Sequence, residues 1–142
     1  MQLVVGVDGS PDALHAAQAA AARSWPAGGS VLVVAVVDSR MLTAIPPTLY
    51  HTLTTIEAIA QRFADEAAEP LRAAGLKVTP QVRSGDAKRE LLAAAQQCNA
   101  DCIFVGARGL SRIERFVLGS VSIAVATRAH CSVEVVHVPT GT

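Results

Sequence analysis

A chain of 142 residues fits one domain, which at this size buries about 68–70% of its unfolded surface. Basic and acidic residues balance at 12 each, so the basic surplus of a typical nucleic-acid binder is absent. Apolar residues make up 51% of the chain but aromatic ones only 4%, which leaves Val, Ala, Leu and Ile to build the core.

The longest apolar run near Val31 has seven residues, against the roughly 20 needed to span a bilayer. A strand pattern already begins at Leu3, so no signal peptide is expected ahead of the fold. Cys98, Cys102 and Cys131 are odd in number and lack zinc-like spacing. They read as packed free thiols rather than as redox or metal residues. These features predict a cytoplasmic protein with no membrane or nucleic-acid partner.

Strand and helix signals alternate. Leu3–Val7 is a short β-rich run. Ser10-Pro11-Asp12 supplies an N-cap, a proline at the first helical position and an acid in the first turn. The Ala-rich helix that follows is expected to reach Ser24, where Trp25-Pro26 stops it. Gly28-Gly29 makes a turn, and Val31–Val37 forms a second strand, apolar enough to be covered on both faces. From Ser39 to Leu53 the pattern lapses, and Pro46-Pro47 forbids regular pairing.

A second helix is expected from Thr54, which stands at capping-box spacing from Glu57, to Ala74. Gly75 is placed as its left-handed terminator and Pro70 as a kink. Lys77–Arg83 alternates like a strand. Asp86 caps a third helix to Cys98, ended by Asn99. Asp101–Val105, Ser120–Ala129 and Ser132–Val138 complete the set as strand, helix and strand.

Five strands joined by helices imply right-handed crossovers and a parallel sheet. The expected fold is a single α/β domain over residues 1–142, with strand order 3-2-1-4-5 and helices on both faces. Such sheets bind ligands at the carboxyl ends of the strands where the order reverses, here between strands 1 and 4. That rule singles out Asp8–Ser10 and the stretch from Gly106 onward.

The second stretch reads Gly106-Ala107-Arg108-Gly109, then nine residues, then Gly119-Ser120-Val121-Ser122. Glycines let backbone amides approach a phosphate without an intervening Cβ. Ser120 opens a helix whose first amides lack intrahelical partners and carry the positive end of the dipole, which makes an anion cradle. Arg108, Arg112 and Arg115 lie in the intervening loop and offer charge-assisted bonds. The same residues also suit an ordinary capped strand-to-helix loop. Asp8 is the best acidic candidate, although Asp-Gly-Ser-Pro is turn chemistry in any case. Asp38 ends strand 2 as either a ligand neighbour or a solvated acid. His15, His51, His130 and His137 are ungrouped and read as structural or surface residues.

The spacing Gly-x2-Gly-x9-Gly-Ser, met by Gly106, Gly109, Gly119 and Ser120, resembles the ATP-binding signature of universal stress proteins. The likeness extends to Val4-Val5-Gly6-Val7-Asp8-Gly9-Ser10, Val36-Val37-Asp38 and Gly85-Asp86. It implies a flavodoxin-like sheet of the adenine-nucleotide alpha-hydrolase type, ATP or a related AMP or ADP as ligand, room for a divalent metal beside the phosphates, and a homodimer. By the same resemblance, Asp8 meets the ribose side and the backbone of Val36 meets the adenine edge. Gly106, Gly109, Gly119, Ser120 and the Val121 amide then hold the phosphates, and Arg108 and Ser122 complete the expected cofactor-binding set. Two positions depart from the pattern. Ala35 stands where many members carry His, and Cys131-Ser132-Val133-Glu134 stands where many have Cys-Pro-Val-Leu.

Other nucleotide folds fit less well. The Gly-x4-Gly-Lys-Ser/Thr of P-loop enzymes is absent, and Asp8-Gly9-Ser10 replaces the glycine fingerprint of dinucleotide dehydrogenases. The carboxylate and lysine that a response regulator needs at its third and fifth strand ends are replaced by Arg83-Ser84 and His137-Val138. Two functions remain open: a nucleotide-dependent regulatory binding module, and a slow ATP hydrolase or autophosphorylating enzyme with Ser120 or Ser122 as acceptor. The first is preferred, because neither lysine of the chain, Lys77 or Lys88, lies in the loop and no positioned general base accompanies it. Strand 5, Ser132–Val138, is an edge without Lys or internal Pro and is the expected dimer surface.

Overall fold

The computed structural model describes residues 1–38, 55–109 and 118–138. Within these, five strands alternate with four helices. In chain order they are β1 (Gln2–Val7), α1 (Pro11–Ala22), β2 (Ser30–Val37), α2 (Ile56–Ala73), β3 (Lys77–Ser84), α3 (Ala87–Gln97), β4 (Cys102–Gly106), α4 (Ser120–Arg128) and β5 (Ser132–Val136). All four strand pairings are parallel, in the expected order β3-β2-β1-β4-β5.

Alternation along the strands sorts the core into two layers. Leu3, Val5, Val31, Val33 and Phe104 face α1 and α2, where Ala16, Ala20, Ala64 and Leu71 are buried. Val4, Val34, Ile103 and Val105 face α3 and α4, against Leu91, Ala94 and Val125. Alanine on both α1 and α2 lets two helices share one face of a valine-rich sheet at short range. β1 and β2 are therefore covered on both sides, which explains their uninterrupted apolar sequences.

The ends of the helices follow local chemistry. Ser10 Oγ accepts from the Ala13 amide at 3.2 Å, and Asp86 Oδ1 from the Arg89 amide at 3.1 Å. α2 is capped by Thr55, whose Oγ1 accepts from the Ala58 amide at 3.0 Å, not by Thr54, which lies outside the described residues. The helix runs on through Pro70, and Gly75 (φ 88°) closes it with bonds from Gly75 N to Arg72 O and Leu76 N to Leu71 O, a Schellman pair. Asn99 (φ 53°) ends α3 in the same way. α1 stops at Ala22, two residues short of Ser24, and the Trp25 indole N–H donates to the Ala20 carbonyl at 2.7 Å.

The two sheet edges differ. β3 carries Pro80 and Lys77, which suit an edge. β5 carries neither, and it ends at Val136 rather than Val138. Its Glu134 pairs with Arg23, whose guanidinium lies 5.6 Å over the Phe104 ring. The three cysteines are free and half-buried, and burial pushes each thiol above its ordinary range. Among the described residues, no helix is long and apolar enough to cross a membrane, and no cluster of three or more His, Cys, Asp or Glu is placed to hold a metal ion.

Candidate functional site

The sheet reverses between β1 and β4, and the loops leaving these strands meet there. After Val7 the chain turns through Asp8-Gly9-Ser10. Asp8 Oδ1 accepts from the Ser10 amide at 2.9 Å, which fixes the turn. Gly9 has φ 86°, and a Cβ there would stand 2.5 Å from the Phe63 ring. Only glycine fits, and α2 thereby presses the turn into place. The other carboxylate oxygen, Oδ2, points toward Gly109, where an added Cβ would approach it to 2.9 Å.

β4 ends at Gly106, and here the glycine has a packing role. A Cβ would overlap the Asp12 carbonyl carbon at 2.6 Å and the Ala13 nitrogen at 2.7 Å. The first turn of α1 thus lies directly against the end of β4. Arg108 follows, and both its amide (3.1 Å) and its Nε (3.3 Å) donate to Asp12 Oδ2. The pair is buried, with the Asp12 side chain 0% and that of Arg108 11% exposed.

Both ends of the glycine loop converge on Ala107. Its carbonyl accepts from the Gly119 amide at 2.7 Å and from Ser122 Oγ at 3.1 Å. Gly119 is the N-cap of α4, with φ −67° and ψ 157° and no side-chain cap, and the first intrahelical bond runs from Ile123 N to Gly119 O. The amino terminus of α4 and the Gly109 backbone therefore face the same space. A Cβ on Gly119 would sit 3.5 Å from the Gly109 nitrogen and 3.6 Å from the Arg108 Cα, an ordinary contact. Among the described residues neither steric overlap nor dihedral angle demands glycine at 119.

At the other side of β1, Val37 O accepts from Gly85 N on the β3 side. Backbone groups in a parallel strand alternate sides, so those of Val36 face β1. Val7, paired with Ala35, is the last ladder residue of β1, so the Val36 carbonyl faces the space beyond the end of that strand.

Of the residues picked out by sequence, Asp8, Gly109 and Gly119 approach one another at the carboxyl ends of β1 and β4, Ser120 and Val121 open α4 beside them, and Val36 lies near the end of the next strand. Gly106, the Arg108 side chain and the Ser122 hydroxyl are engaged elsewhere. Gly106 is filled by α1, Arg108 is held by Asp12, and Ser122 is 2% exposed and donates to the Ala107 and Gly119 carbonyls. Arg112 and Arg115 lie outside the described residues. Asp12 and Phe63 are the residues that sequence reasoning missed. Asp12 carried a signal only as a first-turn acid, and Phe63 carried none.

The fold is a doubly wound α/β domain in which Gly109 and the Gly119-started helix α4 meet at the carboxyl ends of β1 and β4. The universal stress protein family model matches residues 1–137, and the chain belongs to that family. It is 29% identical over 145 residues to a universal stress protein of Methanocaldococcus jannaschii, covering 97% of this chain and 82% of the relative. Among solved structures, the hypothetical protein MJ0577 aligns with a TM-score of 0.82 at 21% identity over 99% of this chain and 97% of that one. A universal stress protein in complex with cAMP aligns with a TM-score of 0.69 at 26% identity over 96% of each chain. A universal stress protein of Archaeoglobus fulgidus in complex with dAMP aligns at 0.67 with 19% identity, over 96% of this chain and 97% of that one.

Proposed function

We propose that this universal stress protein is an adenine-nucleotide-binding module that takes ATP at the β1–β4 reversal and acts as a regulatory binding protein. The observation that carries the reading is Gly119: its backbone suits any residue and an added Cβ meets only ordinary contacts among the described residues, yet the position is glycine where the amino terminus of α4 and the Gly109 backbone come together. The cAMP complex of a relative 26% identical to this chain supports the ligand class.

In this reading Gly109, Gly119, Ser120 and the Val121 amide hold the phosphates. Asp8 accepts from the ribose hydroxyls, and the Val36 carbonyl takes the adenine amino group. Arg108 works indirectly, by tying the loop to Asp12. Ser122 braces the loop through Ala107, and Gly106 seats α1. A divalent ion would be held mainly by the phosphates, with Asp8 the carboxylate beside Gly109 among the described residues. The partly exposed free thiols suit a reducing compartment, which favours the cytoplasm.

Asp8→Asn keeps the acceptor for the Ser10 amide but replaces the second carboxylate oxygen with a donor. The variant weakens ATP binding by about 1–3 kcal/mol and leaves pyrophosphate binding nearly unchanged. Calorimetry with both ligands decides; equal losses contradict the ribose role.

The slow-hydrolase reading keeps one acceptor, since Ser120 is exposed whereas the Ser122 hydroxyl is buried. Turnover below roughly 1 s⁻¹ is expected, with Gly119→Val as the control for contaminating ATPase. A faster rate that this variant abolishes would make the protein an enzyme.

The proposed dimer forms through β5. Val136 O accepts from Ala107 N, so the backbone of Val136 faces β4 and that of Val135 faces the open edge. Val135→Pro therefore removes an edge donor without breaking the ladder within the protomer. Light scattering should show a shift from dimer to monomer with unchanged circular dichroism. A wild type that is monomeric at high micromolar concentration, or a variant that stays dimeric, would exclude this edge.

A further inference from the structure

On the α3/α4 face a cleft of about 450 Å³ opens between the first turn of α3 and the exposed side of α4. Lys88 and Arg89 line it from α3, Ser120, Ile123 and Arg128 from α4, and Asp86 stands among them. α3 and α4 both start at the carboxyl end of the sheet, after β3 and β4. Ser120 therefore belongs both to this cleft and to the mouth of the glycine cradle.

The charges here differ from those elsewhere in the chain. Seven arginines lie among the described residues. Arg23, Arg62, Arg72, Arg83 and Arg108 are each in an ion pair with a carboxylate. The two that are not, Arg89 and Arg128, both line this cleft. Lys88 beside them also has no ion pair among the described residues. Among the described residues the one acid lining the cleft, Asp86, is engaged as the N-cap of α3 through the Arg89 amide at 3.1 Å. One wall is apolar, formed by Ile123, which is 46% exposed.

We propose that the terminal phosphates of a nucleoside triphosphate extend past Ser120 into this cleft, where Lys88, Arg89 and Arg128 hold them, so that the cleft selects ATP over AMP. The inference rests on the nucleotide reading above and adds a specificity device to it. Guanidinium groups offer paired donors to phosphate oxygens, and the Lys88 ammonium adds a point charge. Their partial exposure makes the contribution sensitive to salt.

The test is calorimetry of AMP and ATP with wild type, Lys88→Gln and the double variant Arg89→Gln/Arg128→Gln. Arg89→Lys/Arg128→Lys serves as the charge-preserving control, with folding checked by circular dichroism. The double glutamine variant should lose about tenfold or more in ATP affinity and less than about twofold in AMP affinity, with Lys88→Gln shifting the ratio the same way. The lysine control should keep most of the preference. Wild type that binds both nucleotides equally, or variants that leave the ATP-to-AMP ratio unchanged while AMP still binds, would overturn the cleft alone. Wild type that binds neither nucleotide would overturn the nucleotide reading and the cleft together.

Discussion

Gly119→Val lowers ATP affinity by more than about a hundredfold, which corresponds to roughly 2.7 kcal/mol, while the protein stays folded. The folded chain tolerates the change because the backbone at 119 lies in the extended region and an added Cβ meets no described residue closer than 3.5 Å. Replacing glycine with valine at an N-cap costs of the order of 1 kcal/mol. The binding loss is larger because the branched side chain fills the space that a phosphate needs above the α4 amides. Gly119→Ala should fall between the two. Calorimetry gives the affinities and thermal melts the stability; full affinity in a folded Gly119→Val protein would remove the cradle from the account.

Asp12→Ala costs about 3–5 kcal/mol of stability, the scale for stripping one partner from a buried pair. The carboxylate is fully buried and accepts both the amide and the Nε of Arg108, so its loss leaves donors unpaired in a site where the arginine is only 11% exposed. Arg108→Met added to Asp12→Ala should recover much of the loss, because the charge left without a partner is then gone. By contrast, Arg62→Ala removes an exposed i,i+4 pair with Glu66 and should cost no more than about 0.5 kcal/mol. Urea denaturation separates these cases. A loss below about 1 kcal/mol for Asp12→Ala would mean that the pair does not anchor the glycine loop.

The fold was largely legible because its signals are local and repeated. Valine runs bounded by Gly28-Gly29 or Gly75 mark strands, Ser10 and Asp86 mark helix starts, and the strand–helix alternation marks a parallel sheet with right-handed crossovers. The errors arose where neighbouring residues compete for one role. Thr54 and Thr55 both can cap α2, and only the helical register selects Thr55. The capping-box spacing to Glu57 pointed to the wrong threonine.

The site was legible as a place more than as a set of roles. Gly106, Gly109 and Gly119 are alike in sequence, yet a Cβ would meet α1 backbone at the first, the Asp8 carboxylate at the second and only ordinary contacts at the third. That difference depends on what folds against each glycine. Arg108 read as a phosphate ligand because its position in the loop was visible while its partner, 96 residues away, was not. The cations of the α3/α4 cleft, which have no ion pair among the described residues, had no sequence signal, since pairing of the other arginines appears only after folding.

The most direct measurement is the change in backbone amide NMR shifts as ATP is added to the wild-type protein. Saturable shifts are expected, concentrated at Val36, Asp8, Gly109, Gly119, Ser120 and Val121. Cys98 and Cys131, at the opposite end of the sheet, should stay unmoved. No saturable shift at millimolar ATP, or shifts centred on that opposite end, would contradict it.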